Sequence, residues 1–87
     1  MIELRRERQT DIQVFPNPAS DAATVRFYAT TPAIAPATLS DANGKVIWQR
    51  PVQIFGGVNE VPLTVRNLPA GRYSFQLGDR SVRLAVE

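Results

Sequence analysis

The feature that most narrows what this chain can fold into is an alternation of apolar and polar residues with a period of two, running from Asp11 to the last residue. Ala23, Val25 and Phe27 alternate with Thr24, Arg26 and Tyr28. Tyr73, Phe75 and Leu77 repeat the pattern, as do Val82, Leu84 and Val86. Successive side chains of a strand point to opposite faces, so this spacing gives one apolar and one polar face. No segment carries a 3.6-residue apolar period over ten or more residues.

Turn residues recur about every eight to twelve positions, the rhythm of an all-β sandwich or barrel. The expected fold is all-β: an Ig-like antiparallel β-sandwich of about seven strands. The chain has 87 residues, enough for one domain with a modest core. Residues 1–10 show no period and read as a linker or flexible tail; residues 11–87 read as the domain.

The first strand is Ile12–Phe15, with Ile12 and Val14 inward, and it stops at Pro16, Asn17 and Pro18. The second alternates through Ala23, Val25 and Phe27. Residues 30–36, holding Pro32 and Pro36, read as a loop or broken edge before a third strand at Ala37 and Leu39. The fourth runs from Lys45 to Val52 with Val46 and Trp48 inward and Ile47 half covered, and Pro51 puts its later part at a sheet edge. Phe55, Gly56 and Gly57 read as a turn. The fifth strand places Val61, Leu63 and Val65 on one face, and Pro62 makes it an edge or a bulge. The sixth is Tyr73–Leu77 and, across a Gly78–Asp79 hairpin, the seventh is Val82–Val86.

Composition removes whole classes of chemistry. The chain has no Cys and no His, which excludes disulfides, thiolate metal sites and the Ser-His-Asp and Cys-His nucleophile systems. Carboxylates are the remaining acid/base groups, and Asp21, Asp41 and Asp79 stand in turn contexts where Asp has a structural task. No catalytic residue, metal site or cofactor is assigned. The formal net charge is +2, nine of the ten bases are Arg, and Arg5, Arg6 and Arg8 are interleaved with Glu3 and Glu7. That balance does not suit a nucleic-acid groove, and no apolar run reaches the ~20 residues of a membrane helix. Met1 leads straight into charged residues, so an exported version takes its signal from a larger precursor.

Three short motifs have a physical account. Asp41-Ala42-Asn43-Gly44 is a hairpin turn, with the Asp41 carboxylate placed to accept backbone amides and Gly44 free to take a positive φ. Phe15-Pro16-Asn17-Pro18 is a stiff corner: the prolines stop the sheet ladder, and the Asn17 amide can bond neighbouring backbone. In Leu68-Pro69-Ala70-Gly71-Arg72-Tyr73, Gly71 allows a positive φ or a close approach. Tyr73 brings a hydroxyl that needs an upstream partner, as in the tyrosine corner of Ig-like sandwiches.

In their order the motifs resemble a known family. Val14-Phe15-Pro16-Asn17-Pro18-Ala19-Ser20-Asp21 is followed by Val25-Arg26-Phe27 and by Leu39-Ser40-Asp41-Ala42-Asn43-Gly44-Lys45-Val46. Then come Gly57-Val58-Asn59, the Leu68–Tyr73 stretch and a basic, apolar last strand. Over Asp11–Glu87 this is similar to the C-terminal sorting domain of cargo of the type IX (Por) secretion system.

The resemblance implies a non-enzymatic sorting signal of a Gram-negative bacterium, fused behind an N-terminal passenger. It also implies transit of the periplasm and an outer-membrane translocon with its shuttle protein as partners. A sortase acts on the linker in many members, and the cargo ends at the cell surface or is released. The family's motifs fall on Pro16, Asn17, Pro18, Gly71, Tyr73 and the terminal strand with Arg83, Val86 and Glu87. Arg83 stands where Lys is frequent, and Phe15 where Tyr is. The physical route expected for recognition is strand addition at an exposed edge of the terminal strand, with Val82, Leu84 and Val86 anchored inward and Ser81, Arg83 and Ala85 outward. A structural or adhesive Ig-like module is the alternative; to bind carbohydrate it needs coplanar exposed aromatics, for which Tyr28, Trp48 and Phe55 are the candidates.

Overall fold

A computed structural model describes residues 12–87. The tail assigned to residues 1–10, and Asp11, lie outside the described residues. Seven strands follow one another: β1 (Ile12–Phe15), β2 (Ala22–Ala29), β3 (Ala33–Asp41), β4 (Val46–Ile54), β5 (Gly57–Thr64), β6 (Gly71–Leu77) and β7 (Arg80–Val86). They form two antiparallel sheets, one in the order β1-β2-β5 and the other in the order β4-β3-β6-β7. The all-β, seven-stranded sandwich expected from the alternation is the fold observed.

The period-two pattern becomes burial directly. Val25, Leu39, Val65, Phe75, Leu77 and Leu84 are at most 2% exposed, and Ala23, Phe27, Ile54 and Leu63 join them between the sheets. Each large aliphatic or aromatic side chain of this kind stabilises by roughly 1.5–3 kcal/mol relative to exposure. Leu84 and Val86 are buried with Val82 half-buried against them, as the alternation in the last strand requires. Trp48 is half-buried and meets Phe75 edge-on at 6.3 Å, with the Arg50 guanidinium 4.3 Å from its ring centre.

Four details differ from the sequence reading. Of the loop or broken edge read over residues 30–36, residues 33–36 are strand rather than loop: β3 starts at Ala33, Pro36 pairs opposite Pro51, and the strand pairing with β6 begins only at Ala37. The Pro36 carbonyl accepts from Gly78 N–H at 3.1 Å. A strand residue's N–H and C=O point the same way, so the missing N–H of Pro36 faces the β6–β7 turn and costs the β3–β4 ladder nothing. Pro51, across from it, turns its missing N–H to the open edge of β4, where the sequence placed it.

Val46 is not inward but 53% exposed. The register shifts between Leu39↔Trp48 and Ser40↔Val46, which leaves Ile47 as an extra residue. A bulge of this kind breaks the alternation. It puts Val46 on the outer face beside Ser40 while Trp48 stays inward, and Ile47 is exposed. The fourth strand runs on to Ile54 rather than ending at Val52. The fifth begins at Gly57 rather than Val61, and Pro62 sits in it as an edge residue opposite Thr24.

The early start of β5 has its own polar key. Asn59 is 5% exposed at an inward position. Its Oδ1 accepts from Phe55 N–H at 2.9 Å, and its Nδ2 donates to the carbonyls of Phe55 and Gly57 at 2.8 and 3.2 Å. A buried amide so satisfied closes the β4–β5 turn instead of costing stability.

Candidate functional site

The registers put Phe15, Ala22, Asp41, Val46, Thr64, Gly71 and Val86 at one end of the sandwich, and Ile12, Ala29, Ala33, Ile54, Gly57, Leu77 and Arg80 at the other. The chain therefore enters the domain at one end, and its last strand finishes at the opposite end. Arg80 closes the entry end across the two sheets: its guanidinium lies 4.9 Å from the Phe27 ring centre, and its Nη2 donates to the Tyr28 carbonyl at 3.3 Å.

The finishing end gathers nearly all the residues singled out in the sequence. Asp41 Oδ1 accepts from the backbone N–H of Asn43 and of Lys45, each at 2.9 Å, and Gly44 has φ +85°. This is the satisfied hairpin turn that was read. The Tyr73 hydroxyl donates to the Pro69 carbonyl at 2.6 Å from a side chain 6% exposed, the tyrosine corner as expected. Gly71 has φ +156°, and a Cβ there would meet nothing within 4 Å. Its task is therefore backbone conformation, not close approach.

The Pro16-Asn17-Pro18 corner does something its sequence did not disclose. Its amide was expected to bond neighbouring backbone; instead Asn17 reaches the far end of the chain. Asn17 Nδ2 donates to the Arg83 carbonyl at 3.2 Å, and Asn17 Oδ1 accepts from Ala85 N–H at 2.9 Å. Two residues on, Ala19 N–H donates to the Ala85 carbonyl at 2.8 Å, and the Ala19 carbonyl accepts from Glu87 N–H at 2.9 Å. Ala19 is fully buried and pairs in parallel with Val86. The first strand thus leaves β2 at Phe15, turns through the two prolines and crosses to the other sheet alongside β7.

This corrects the expectation of an exposed terminal edge. Residues 83 and 85 of β7, and Glu87 just beyond it, turn their backbone groups away from β6, and four hydrogen bonds from Asn17 and Ala19 cover most of them. Among the described residues, Ser81 and the Arg83 N–H alone keep positions without a partner on that edge. The residues missed in the sequence are Ala19, Asn59 and Arg72. Asn59 could have been found as a polar residue in an inward register; the other two carried no signal.

Asn17→Ala removes two of the four bonds that hold β7's outer edge. We expect a loss of about 1–2 kcal/mol and hence a fall in Tm of roughly 4–16 °C for a domain of this size. A thermal melt followed by circular dichroism checks it; an unchanged Tm would mean the clamp contributes nothing.

On the outer face of the β4-β3-β6-β7 sheet, shallow clefts adjoin this edge. One, of about 280 Å³, is lined by Asp41, Arg72, Tyr73, Ser74 and Arg83 among others. A second is lined by Ser40, Gln76, Ser81 and Arg83, and a third by Asn17, Arg72, Arg83 and Ala85. Open, shallow clefts of this kind suit an extended segment better than an enclosed small molecule. Asn17, Asp41, Gly44, Tyr73 and Arg83 all line one or more of them, while Pro16, Pro18 and Glu87 are exposed at the same end and Val86 is buried beneath.

The aromatics that a carbohydrate platform would need are dispersed. Tyr28 is on β2 in one sheet, Trp48 is on β4 in the other, and Phe55 is in the β4–β5 turn. The arginines are dispersed too: Arg26 lies on the three-stranded sheet and Arg72 and Arg83 on the four-stranded one.

Comparison with known proteins agrees with the motifs. A family model described as a secretion system C-terminal sorting domain matches residues 13–85, from the first strand to the last. None of the curated proteins compared with the chain matches it. The chain belongs to the family of secretion system C-terminal sorting domains, which mark cargo for the type IX secretion machinery and for export to the cell surface or out of the cell.

Proposed function

We propose that the domain, set between a passenger and the secretion machinery, presents its finishing end to an outer-membrane translocon and its shuttle protein after crossing the periplasm of a Gram-negative bacterium. The site comprises Pro16, Asn17, Pro18 and the outer side of β7 with Arg83, Val86 and Glu87; Asp41, Gly44, Gly71 and Tyr73 set the shape of the same end. The domain runs over residues 11–87, and residues 1–10 form the linker on which a sortase acts. The domain is a substrate of that cleavage and performs no reaction itself.

One observation carries this reading. Asn17 and Ala19 tie the first motif to the terminal strand, so the two family signatures farthest apart in sequence form one surface. That surface lies at the end of the sandwich opposite Ile12.

The test is a fusion of the 87-residue chain behind an export signal and a fluorescent protein, expressed in hosts with and without the type IX translocon. Fluorescence at the surface or in the medium is expected only with the translocon. Fluorescence held in the periplasm of both hosts, with the domain folded, refutes the reading.

A further inference from the structure

The structure leaves a partner one short opening on the terminal strand, and that opening lies beside two arginines. Among the described residues, the backbone edge of β7 is covered from the Arg83 carbonyl to Glu87, which leaves the N–H and C=O of Ser81 and the N–H of Arg83 without a partner there. Arg83 stands opposite Ser74 of β6, and Arg72 stands opposite Ala85 of β7. Arg72 and Arg83 are thus diagonal neighbours on the outward face, where side chains on adjacent strands lie about 7–8 Å apart or closer.

Among the described residues, none neutralises the pair by contact. The ion pairs among the described residues are Arg26–Glu60 at 3.9 Å and Arg66–Asp21 at 3.2 Å, and neither includes Arg72 or Arg83. Asp41 lines the same cleft, but its Oδ1 already accepts two backbone amides. Of the other acids at this end, Asp21 is paired with Arg66 and Glu87 lies past Ala85. Arg83 lines all three adjoining clefts and Arg72 lines two, together with the hydroxyls of Ser40, Ser74 and Ser81 and the amides of Asn17 and Gln76. Two guanidiniums facing one open cleft are suited to a carboxylate held by parallel N–H donors.

We propose that the segment reading this domain is an extended acidic peptide of the secretion machinery. It pairs with β7 over Ser81–Arg83 and sets a Glu or Asp side chain between Arg72 and Arg83. Main-chain pairing gives it register and the carboxylate gives it selectivity. This inference rests on the sorting-signal reading and narrows it to a partner of one charge.

Two measurements test it. In the fusion assay, Arg72→Gln with Arg83→Gln is expected to lower export at least tenfold, and Arg72→Glu with Arg83→Glu to bring it to background. Arg26→Glu on the other sheet is expected to leave it unchanged. Melting curves of the same chains separate lost recognition from lost folding. If the unaltered fusion is not exported, the sorting reading fails; if it is exported and the Glu pair is exported equally well, this inference alone fails.

The second arm is an NMR titration of the full chain with a decapeptide of alternating Glu and Thr, against its Gln–Thr counterpart. Shifts of the Ser81 and Arg83 amides with the Glu peptide only, weakening as salt rises, are expected. Equal shifts with both peptides, shifts confined to β4 or β5, or no shift with either peptide overturn the proposal.

Discussion

Removing the last four residues, Leu84–Glu87, is expected to reduce export of an attached passenger to background while the passenger itself still folds. Leu84 and Val86 are 2% and 5% exposed, and truncating a buried aliphatic residue of this size costs about 2–5 kcal/mol. The deletion also removes Ala85 N–H, the Ala85 carbonyl and Glu87 N–H, the partners of three of the four hydrogen bonds from Asn17 and Ala19. Ala19, fully buried against Val86, would open to water. The whole stability of a domain this size is roughly 4–13 kcal/mol, so the loss is comparable to the total. The measurement is the export assay, with passenger fluorescence reporting its folding and circular dichroism of the truncated chain reporting the domain. Normal export of the truncated fusion would remove the terminal strand from the mechanism.

Phe75→Ala is the largest single-residue effect expected on stability. Phe75 is fully buried in β6, paired between Leu39 of β3 and Val82 of β7, with the Trp48 ring against its edge at 6.3 Å. Replacing a buried Phe by Ala costs about 3–5 kcal/mol, partly as lost transfer energy and partly as a cavity its neighbours cannot fill. Phe55→Ala is the contrast: Phe55 is 62% exposed in a turn, and a change of at most about 0.5 kcal/mol is expected. Urea denaturation of the two variants checks both values. Equal midpoints would show that the core is not where the burial pattern puts it.

The sequence disclosed what is local and hid what is distant. The Asp41–Gly44 turn, the Tyr73 corner and the alternation through β2, β6 and β7 are set by residues within a few positions of each other, and each is observed as read. Val46 was misplaced because a single extra residue, Ile47, reverses the face of everything before it, and alternation alone cannot register a bulge. Residues 33–36 were set aside as loop because Pro36 lacks a donor, yet which side of the strand needs that donor depends on the neighbouring strands.

Asn17 was understood as a corner residue, which it is. That its amide would serve a strand 66–68 residues later is a fact of topology, not of the Pro-Asn-Pro triplet. The free-edge picture of the last strand failed for the same reason.

The clamp between Asn17 and β7 has a consequence for timing and quality. It closes a loop of more than sixty residues, and contacts of such span carry a large loop-closure entropy and form slowly. A receptor that engages Asn17 together with Arg83 cannot be satisfied by either peptide alone, nor by a half-made or unravelled chain. On the proposed reading the address is legible only on a finished molecule, and the four hydrogen bonds that hold an edge in place would double as an inspection stamp on the domain.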